Sequence, residues 1–474
     1  MKFKKPVKSG LSIIIVGCGK VGNALVRQLS KEGHDITIID RSREKVMEIA
    51  NQYDIMGLAG NGASYSVQME AGIEAADMLI AVTDSDELNL LCCTVAKHVS
   101  QCDTVARVRT PDYSTEASYL REKLGLTMII NPELEAAIEA TRILCLPTAL
   151  EVNSFAHGQA ELIKLKITEG SMLDGISIQE FGKRGIANVL ICMIERAGEV
   201  YIPWGDFVMQ KGDILSFVAH RKTVKSFMQK FGLKTKQVKN TMIVGGGKAA
   251  YYLANQLLGM GISVQIIEQN KARCEELSIL LPKAVIINAD GSDEEVLFEE
   301  GIENVESFIP LTGIDEENIM LTLHAKQVSN AKVITKINRI TFKNVINSLD
   351  LGSVIYPKYI TSEAIIAYVR AKNDSMESTD SNSAGSSASD SNIETLYHMF
   401  DHRVEAIEFR VTKSSAVTGK PLAELKLNDE ILISFINRNG TIIIPSGQDC
   451  ILEGDTVMIV TTHTGFTDIQ DILR

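Results

Sequence analysis

The feature that most constrains this chain is a segment that occurs twice. Residues 13–22 read IIIVGCGKVG, and residues 242–250 read MIVGGGKAA. In each copy an apolar run enters a glycine-rich turn, and the next apolar run ends in an acid, Asp40 in the first copy and Glu268 in the second. These parts of the two copies lie 228 residues apart. A duplicated unit predicts two domains of the same fold within one chain.

The repeated segment is typical of a nucleotide site. Gly17 allows a tight turn, Gly19 lets the backbone approach a pyrophosphate, and Gly22 lets the following helix pack against its strand. Backbone N–H groups at the start of that helix favour an anion. Asp40 can accept the ribose hydroxyls of an adenosine and repels a 2′-phosphate, so the pattern favours NAD over NADP, although Arg41 beside it weakens that preference. The alternative is a glycine turn kept only for packing.

Short apolar strands alternate with helices over residues 11–130, and residues 241–340 repeat this order. The order predicts α/β domains, each a doubly wound, Rossmann-like parallel sheet with helices on both faces. Ligands of such sheets bind at the carboxyl ends of the strands. The residues at the predicted strand ends should therefore converge on one crevice; they are residues 17–22, Asp40, Asn61 with Gly62, Thr83 with Asp84, and Arg107. In the second copy, the residues that match Asn61, Gly62, Thr83 and Arg107 lie 229 positions later. They are Asp290, Gly291, Thr312 and Lys336.

A smaller module follows each predicted sheet domain. Residues 150–230 read as strands around a short helix, which indicates an α+β module, and residues 401–474 repeat it. The repeat is marked by Pro203, Gly212 and Asp213, which recur 242 residues later as Pro445, Gly454 and Asp455. Residues 373–392 are rich in serine and almost free of apolar residues, so we expect a disordered tether there. The predicted domains are 1–146 and 233–372 (nucleotide-binding), 147–232 and 393–474 (small modules), with the tether at 373–392.

Composition excludes several classes of function. The 474 residues carry a net charge of −12, which argues against nucleic-acid binding. No apolar run approaches the length of a membrane span. The eight cysteines are scattered without CxxC spacing, which predicts free thiols in a reducing cytoplasm rather than disulfides or zinc. His398 and His402, on either side of Asp401, read as a surface turn rather than a metal site. Outside the nucleotide crevice we find no acid–base pair or nucleophile–base pair in the other modules. Trp204 is expected in a core or module interface.

The longer pattern resembles a known family. The first unit continues into GNGA at 60–63, MEAGIEAAD at 69–77 and AVTDSDELN at 81–89. This series resembles the RCK domain, also called KTN or TrkA-N, and the small module resembles the RCK-C domain. Two such pairs in one chain resemble the regulatory subunits of Trk potassium-uptake systems. The resemblance covers nearly the whole chain.

The resemblance implies a cytoplasmic regulator that binds NAD(H), ATP or ADP. It further implies a homotetramer forming an eight-RCK ring, and a partner that is the membrane pore subunit, with peripheral attachment at the inner face of the membrane and no direct insertion. Lys20 matches a position where family members often place a basic side chain on terminal phosphates. Asn61 departs from the family's usual Asp, and Pro310 is expected to distort the second crevice. By matching position, the implied cofactor-binding residues are Gly17, Cys18, Gly19, Lys20, Val21, Gly22, Asp40, Arg41, Asn61, Gly62, Thr83, Asp84 and Arg107, then Gly245, Gly247, Lys248, Ala250, Glu268, Asp290, Gly291 and Thr312.

Two other functions stay open at this point. Fold alone would permit an NAD-dependent oxidoreductase with a small substrate domain. One small module could also bind a second effector, such as a cyclic dinucleotide. Two long helices, predicted from Glu133 and Lys358, have apolar faces that could cross between neighbouring domains or pack within their own.

Overall fold

The structure, a computed structural model, describes residues 10–184, 188–233, 236–338, 345–346, 349–377, 392–399 and 403–474. Most of the predicted tether at 373–392 lies outside these residues, as do Asp401 and His402 of the histidine pair. The chain forms two compact units. One comprises Met1–Glu135 and Pro357–Val369, and the other comprises Ala136–Tyr356 and Arg370–Arg474.

The first unit contains a six-stranded sheet in the order β3-β2-β1-β4-β5-β6, with every neighbouring pair parallel. Apolar residues run continuously through β1 and β4, because helices cover both faces of the sheet. The predicted doubly wound fold is therefore confirmed. The strands are β1 (Ser12–Val16), β2 (Asp35–Asp40), β3 (Met56–Ala59), β4 (Met78–Ala81), β5 (Asp103–Arg107) and β6 (Met128–Ile130).

Helices connect these strands, and part of a distant helix completes the unit. Residues Pro357–Val369 of helix α14 (Pro357–Glu377) belong to this unit. Within it, the Tyr368 hydroxyl donates a 2.8 Å hydrogen bond to Asp103 at the start of β5. The helices are α1 (Lys20–Lys31), α2 (Arg43–Tyr53), α3 (Tyr65–Glu70), α4 (Asp86–Val99), α5 (Pro111–Thr115), α6 (Ala117–Leu124) and α14 (Pro357–Glu377).

The second unit repeats the parallel sheet in the order β14-β13-β12-β15-β16-β17. Helix α7 (Pro132–Cys145) contacts this domain. Its Thr141 hydroxyl donates a 2.9 Å hydrogen bond to the side-chain oxygen of Gln256 in α10 (Lys248–Gly259). The strands are β12 (Asn240–Val244), β13 (Ser263–Glu268), β14 (Val285–Asn288), β15 (Ser307–Pro310), β16 (Lys332–Lys336) and β17 (Ser353–Ile355). The helices are α7 (Pro132–Cys145), α10 (Lys248–Gly259), α11 (Lys271–Leu280), α12 (Glu294–Glu299) and α13 (Asp315–Val328).

The small modules are five-stranded antiparallel sheets, also in the second unit, in the orders β10-β9-β11-β8-β7 and β18-β19-β22-β20-β21. Each carries one outer strand that the sequence did not predict, β7 or β18. The first module has β7 (Glu151–Phe155), β8 (Ala160–Lys166), α8 (Ile178–Lys183), β9 (Val189–Arg196), β10 (Glu199–Tyr201), β11 (Ile214–His220) and α9 (Arg221–Lys230). The second has β18 (Ile393–Met399), β19 (Val404–Arg410), β20 (Ile431–Arg438), β21 (Thr441–Ile443) and β22 (Thr456–Thr461).

The two small modules share one apolar core, to which both sheets contribute buried residues such as Phe155 and Phe435. Cys192 Sγ lies 3.6 Å from Ser434 Oγ at its centre. These two residues are equivalent in the repeat, being 242 positions apart, so the modules face each other about a pseudo-twofold axis.

A buried ionic cluster joins α14 to the second small module. Arg370 and His398 each lie 3.2 Å from the carboxylate of Glu405, and all three side chains are almost completely buried. Burial acts to raise the pKa of Glu405, but the hydrogen bond from His398 and the charge of Arg370 outweigh it and hold the pKa below its ordinary value. The carboxylate therefore stays ionised, and the cluster holds α14 at Arg370.

One expectation about packing is wrong. Trp204 is 80% exposed, so it does not lie in a core. It occupies the turn after β10, where Phe207 N–H donates to its carbonyl oxygen. Within the part of the chain that is described, no helix is both long and apolar enough to span a membrane.

Candidate functional site

The glycine turn of the first copy forms the floor of a crevice between β1 and β4, where the strand order reverses. Gly17 has φ +115°, a region that favours glycine, and a Cβ there would lie 3.1 Å from the backbone nitrogen of Thr83. Gly19 precedes α1, and nothing lies within 4 Å of the position its Cβ would take. No side chain caps the N-terminus of α1, so its first N–H groups are available to an anion.

Gly22 holds α1 against this turn. A Cβ at Gly22 would lie 1.9 Å from the carbonyl oxygen of Gly17, so no other residue fits this separation. The second copy carries that Cβ, because Ala250 stands at the matching position and is fully buried. The second copy must therefore hold α10 farther from its turn than the first copy holds α1.

The acid at the end of the second strand is oriented by backbone groups. Asp40 accepts hydrogen bonds from the N–H groups of Cys18 at 2.7 Å and Ser42 at 2.9 Å. Glu268 does the same with Gly246 and Asn270, both at 2.7 Å. Each carboxylate oxygen keeps acceptor capacity beyond these bonds. Both acids can therefore accept ribose hydroxyls without moving.

A second glycine is required where β3 and β14 end. A Cβ on Gly62 would lie 2.3 Å from a methyl carbon of Val16, and the same distance separates the Cβ position of Gly291 from Val244. The residues before them differ. Asn61 is uncharged, whereas Asp290 is ionised, because hydrogen bonds from the N–H and hydroxyl of Ser292 lower the pKa of Asp290.

The next strand end is fixed by a buried asparagine that the predicted site did not include. Asn89 Oδ1 accepts from the N–H of Thr83 at 2.8 Å and from its hydroxyl at 2.7 Å. Asn89 also donates to the carbonyl of Arg107 at 2.8 Å. Asn318 repeats the network on Thr312. The recurrence of this asparagine in both copies was the sequence signal for it.

Arg107, at the end of β5, contacts the loop that follows β4. Its guanidinium donates to the carbonyl of Thr83 at 2.8 Å and to Asp84 at 3.2 Å. Burial, followed by the positive charge of Arg109, lowers the pKa of Arg107. Its Nε is buried and has no hydrogen-bond partner among the described residues. A buried donor in this position fits an anionic group of a bound nucleotide.

The second copy forms a crevice of about 460 Å³. It brings together most of the residues predicted there, but Lys248 and Ala250 are not among its lining residues. Lys336 lines it and donates to the carbonyl of Leu311 at 2.9 Å. The lining residues are Val244, Gly245, Gly246, Gly247, Ile267, Glu268, Gln269, Asp290, Gly291, Leu311, Thr312, Gly313, Ile314, Glu317 and Lys336.

Pro310 lies at the end of β15 and shortens the pairing of that strand on one side only. Leu311 N–H still donates to the carbonyl of Val244 at 2.7 Å, so the pairing with β12 is kept. On the other side, pairing with β16 is recorded at Ser307 and Phe308 alone, whereas β4 pairs with β5 along its whole length. Proline has no N–H to donate, which accounts for the shorter ladder.

The remaining predicted residues take supporting places. Lys20 and Arg41 are exposed at the edges of the first crevice, Cys18 and Val21 are buried, and Val21 faces the core. Asp86, at the start of α4, accepts from the N–H groups of Arg109 and Thr110, so its carboxylate has a structural role. No cluster of histidine, cysteine and acidic residues suited to a metal ion occurs in the described ranges.

Comparisons with known proteins agree with this architecture. The TrkA-N domain matches residues 13–132 and 241–357, and the TrkA-C domain matches 162–232 and 406–474. The Trk system potassium uptake protein TrkA of Haemophilus influenzae is 31% identical over 95% of this chain and 95% of its own length. That of Halomonas elongata is 30% identical over 95% of each chain. These names describe potassium uptake, not a catalysed reaction.

Solved structures share the fold. The crystal structure of the GsuK RCK domain has a TM-score of 0.63 at 18% identity, covering 96% of this chain and 93% of its own. The GsuK channel bound to NAD has a TM-score of 0.62 at 17% identity, covering 97% of this chain and 78% of its own. With two TrkA-N and two TrkA-C domains and relatives matched over nearly its full length, this chain belongs to the TrkA family of Trk system potassium uptake proteins.

Proposed function

We propose that this chain is a regulatory subunit that binds NAD(H), ATP or ADP and gates a membrane potassium transporter. The observation that carries the proposal is the duplicated crevice, in which Asp40 and Glu268 are each oriented by two backbone N–H groups. The uncapped start of α1 and the buried donor of Arg107 supply anion contacts beside the first of these acids. Nucleotide binding of this kind can shift a conformational equilibrium, provided that the nucleotide binds one conformation more tightly than the other.

The identity of the nucleotide is supported by the fold and by the acids. The GsuK channel, which shares this fold, has been solved bound to NAD. A carboxylate at the end of the second strand accepts the hydroxyls of an unphosphorylated ribose. ATP and ADP present the same ribose, so they compete for the same residues.

Assembly follows from what such a subunit must do. We propose that four chains form a ring of eight RCK folds at the inner face of the membrane, attached through the pore subunit and located in the cytoplasm. α7 and α14 each contain residues of both compact units. The differential affinity of a nucleotide for two ring shapes would set the size of the gating effect.

The direct test is titration calorimetry of the full chain with NADH, NAD, ATP and ADP, beside Asp40→Ala and Glu268→Ala. We expect saturable binding that each substitution removes from one crevice, with no oxidation of NADH. Potassium flux into vesicles that hold the pore subunit should then depend on the bound nucleotide. Binding of none of the four nucleotides would refute the proposal, and turnover of NADH would favour the oxidoreductase alternative.

A further inference from the structure

The two crevices share a fold but differ in the charge of their side chains. At four matched positions that line the second crevice, the first copy has Arg41, Asn61, Asp84 and Leu88, whereas the second has Gln269, Asp290, Gly313 and Glu317. Three of these exchanges make the second crevice more negative, and the loss of Asp84 makes it less so.

We infer that the two crevices of one chain select different nucleotides: the second takes a dinucleotide of the NAD(H) class, and the first takes a mononucleotide with two or three phosphates. The inference rests on the proposed function, since it assigns ligand classes to the same two sites. It adds to that function a different nucleotide preference for each crevice.

The second crevice presents an excess of carboxylates. Glu268, Asp290 and Glu317 line it, with Lys336 as the one cation among its lining residues. A triphosphate concentrates more negative charge than the pyrophosphate diester of a dinucleotide, so it is repelled more strongly by these acids. A dinucleotide also brings two riboses, whose hydroxyl groups are the donors that ionised carboxylates require.

Two of these acids are held as acceptors. Glu268 is oriented by the N–H groups of Gly246 and Asn270. Asp290 accepts from the N–H of Ser292 at 2.9 Å and from its hydroxyl at 2.7 Å. Backbone N–H groups already hold these carboxylates in place. Binding of a ribose diol to them therefore costs little free energy for reordering the side chains.

The first crevice is built for a higher phosphate charge. Arg107 is the last residue of β5, and its side chain is almost completely buried. Arg109 follows two residues later and is paired with Asp86 at 3.4 Å, so Arg107 is the cation that remains for a phosphate. Asp84, which is paired with Arg107, is fully exposed, so solvent screens its charge. The buried Nε of Arg107 has no partner among the described residues. Guanidinium groups bind phosphate oxygens in pairs, and the second copy replaces this one with the single ammonium of Lys336.

The experiment isolates one crevice at a time in the full chain. Glu268→Ala leaves only the first crevice competent, and Asp40→Ala leaves only the second. Calorimetry with ATP and NADH should give a preference for ATP of about tenfold or more in the Glu268→Ala chain, and a preference for NADH of about tenfold or more in the Asp40→Ala chain.

Exchange of matched residues tests the cause. Asp290→Asn in the Asp40→Ala chain should strengthen ATP binding about tenfold, and Asn61→Asp in the Glu268→Ala chain should weaken it about tenfold. Thermal melting checks that each variant folds, and Glu317→Leu replaces Asp290→Asn if the latter does not. Saturable binding with the same preference in both crevices, binding in one crevice only, or exchanges that leave ATP affinity unchanged would overturn the inference and leave the proposed function standing. No binding in either chain and in the unmodified protein would instead refute the proposed function.

Discussion

Substitution of Gly22 by alanine tests whether the close approach of α1 to the glycine turn is needed for nucleotide binding. A matched control variant separates this effect from a loss of stability. The Cβ of alanine would lie 1.9 Å from the carbonyl oxygen of Gly17. A carbon–oxygen contact needs about 3.3 Å, so the helix or the turn must move by about 1.4 Å. Both atoms belong to the backbone, so no side-chain rotation can relieve the clash. The movement carries the N–H groups of α1 away from the anion that they are placed to bind.

The expected magnitude follows from two opposing effects. Overpacking of this kind costs about 1–3 kcal/mol, and alanine returns about 1 kcal/mol through its higher helix propensity. We therefore expect Gly22→Ala to lower the free energy of unfolding of its unit by about 0–2 kcal/mol, which corresponds to a fall in Tm of at most about 8 °C. The first crevice should lose nucleotide affinity by about tenfold or more, because the displaced donors act only on the ligand.

Ala250→Gly is the matched control. It removes a Cβ where the second copy already accommodates one, so it costs about 1 kcal/mol of helix propensity without a clash. The two variants should thus have similar melting temperatures, but only Gly22→Ala should bind less tightly, as measured by calorimetry with one crevice inactivated by Glu268→Ala or Asp40→Ala. Unchanged affinity in Gly22→Ala would refute the argument that the close approach of α1 positions the anion site.

Four further predictions concern the nucleotide sites, the buried carboxylate of Glu405 and two buried thiols. NADPH should bind at least tenfold more weakly than NADH by calorimetry, because the carboxylate of Asp40 or Glu268 meets its 2′-phosphate. Glu405→Gln should cost about 3 kcal/mol in urea unfolding, because it leaves a buried guanidinium without its counter-charge. Since the pKa of Glu405 lies below its ordinary 4.5 when folded, its carboxylate stabilises the protein above that pH, and this stability should be lost as the pH falls through the lowered pKa. Burial raises the pKa of the Cys92 and Cys192 thiols to about 12, so a thiol reagent at pH 8 should label both only on unfolding, as mass spectrometry of the labelled peptides would report.

The parallel sheets could be predicted because their signals are local and strong. Continuous apolar runs such as β1 end at glycines, and the order of strands and helices leaves few topologies. The strand β7 (Glu151–Phe155) was missed because an outer strand with polar Asn153 and Ser154 lacks clear alternation. Trp204 was misplaced because composition favours burial of tryptophan, whereas its turn leaves the ring exposed.

Within the site, sequence predicted which strand ends meet but not what each side chain does there. Asp40 was expected to face a ribose, and the structure adds that two backbone N–H groups orient it. Arg107 was expected to contact the ligand, but two of its bonds go to Thr83 and Asp84, which spacing cannot reveal. The bonds of Arg107 depend on the position of the loop after β4 in the folded chain. The spacing of residues in the sequence does not determine that position.

The two copies differ where a change leaves the path of the backbone intact. Gly17 and Gly245 both have positive φ, and Gly62 and Gly291 both meet a valine methyl at 2.3 Å, so both copies keep glycine there. Positions that face the ligand without setting the backbone have diverged, as at Asn61 and Asp290. Gly22 and Ala250 are the exception, since a change there alters the distance between helix and turn. An exchange of matched residues between copies is therefore a sharper test than alanine, because each exchanged residue is already known to fit the same backbone in the other half of the chain.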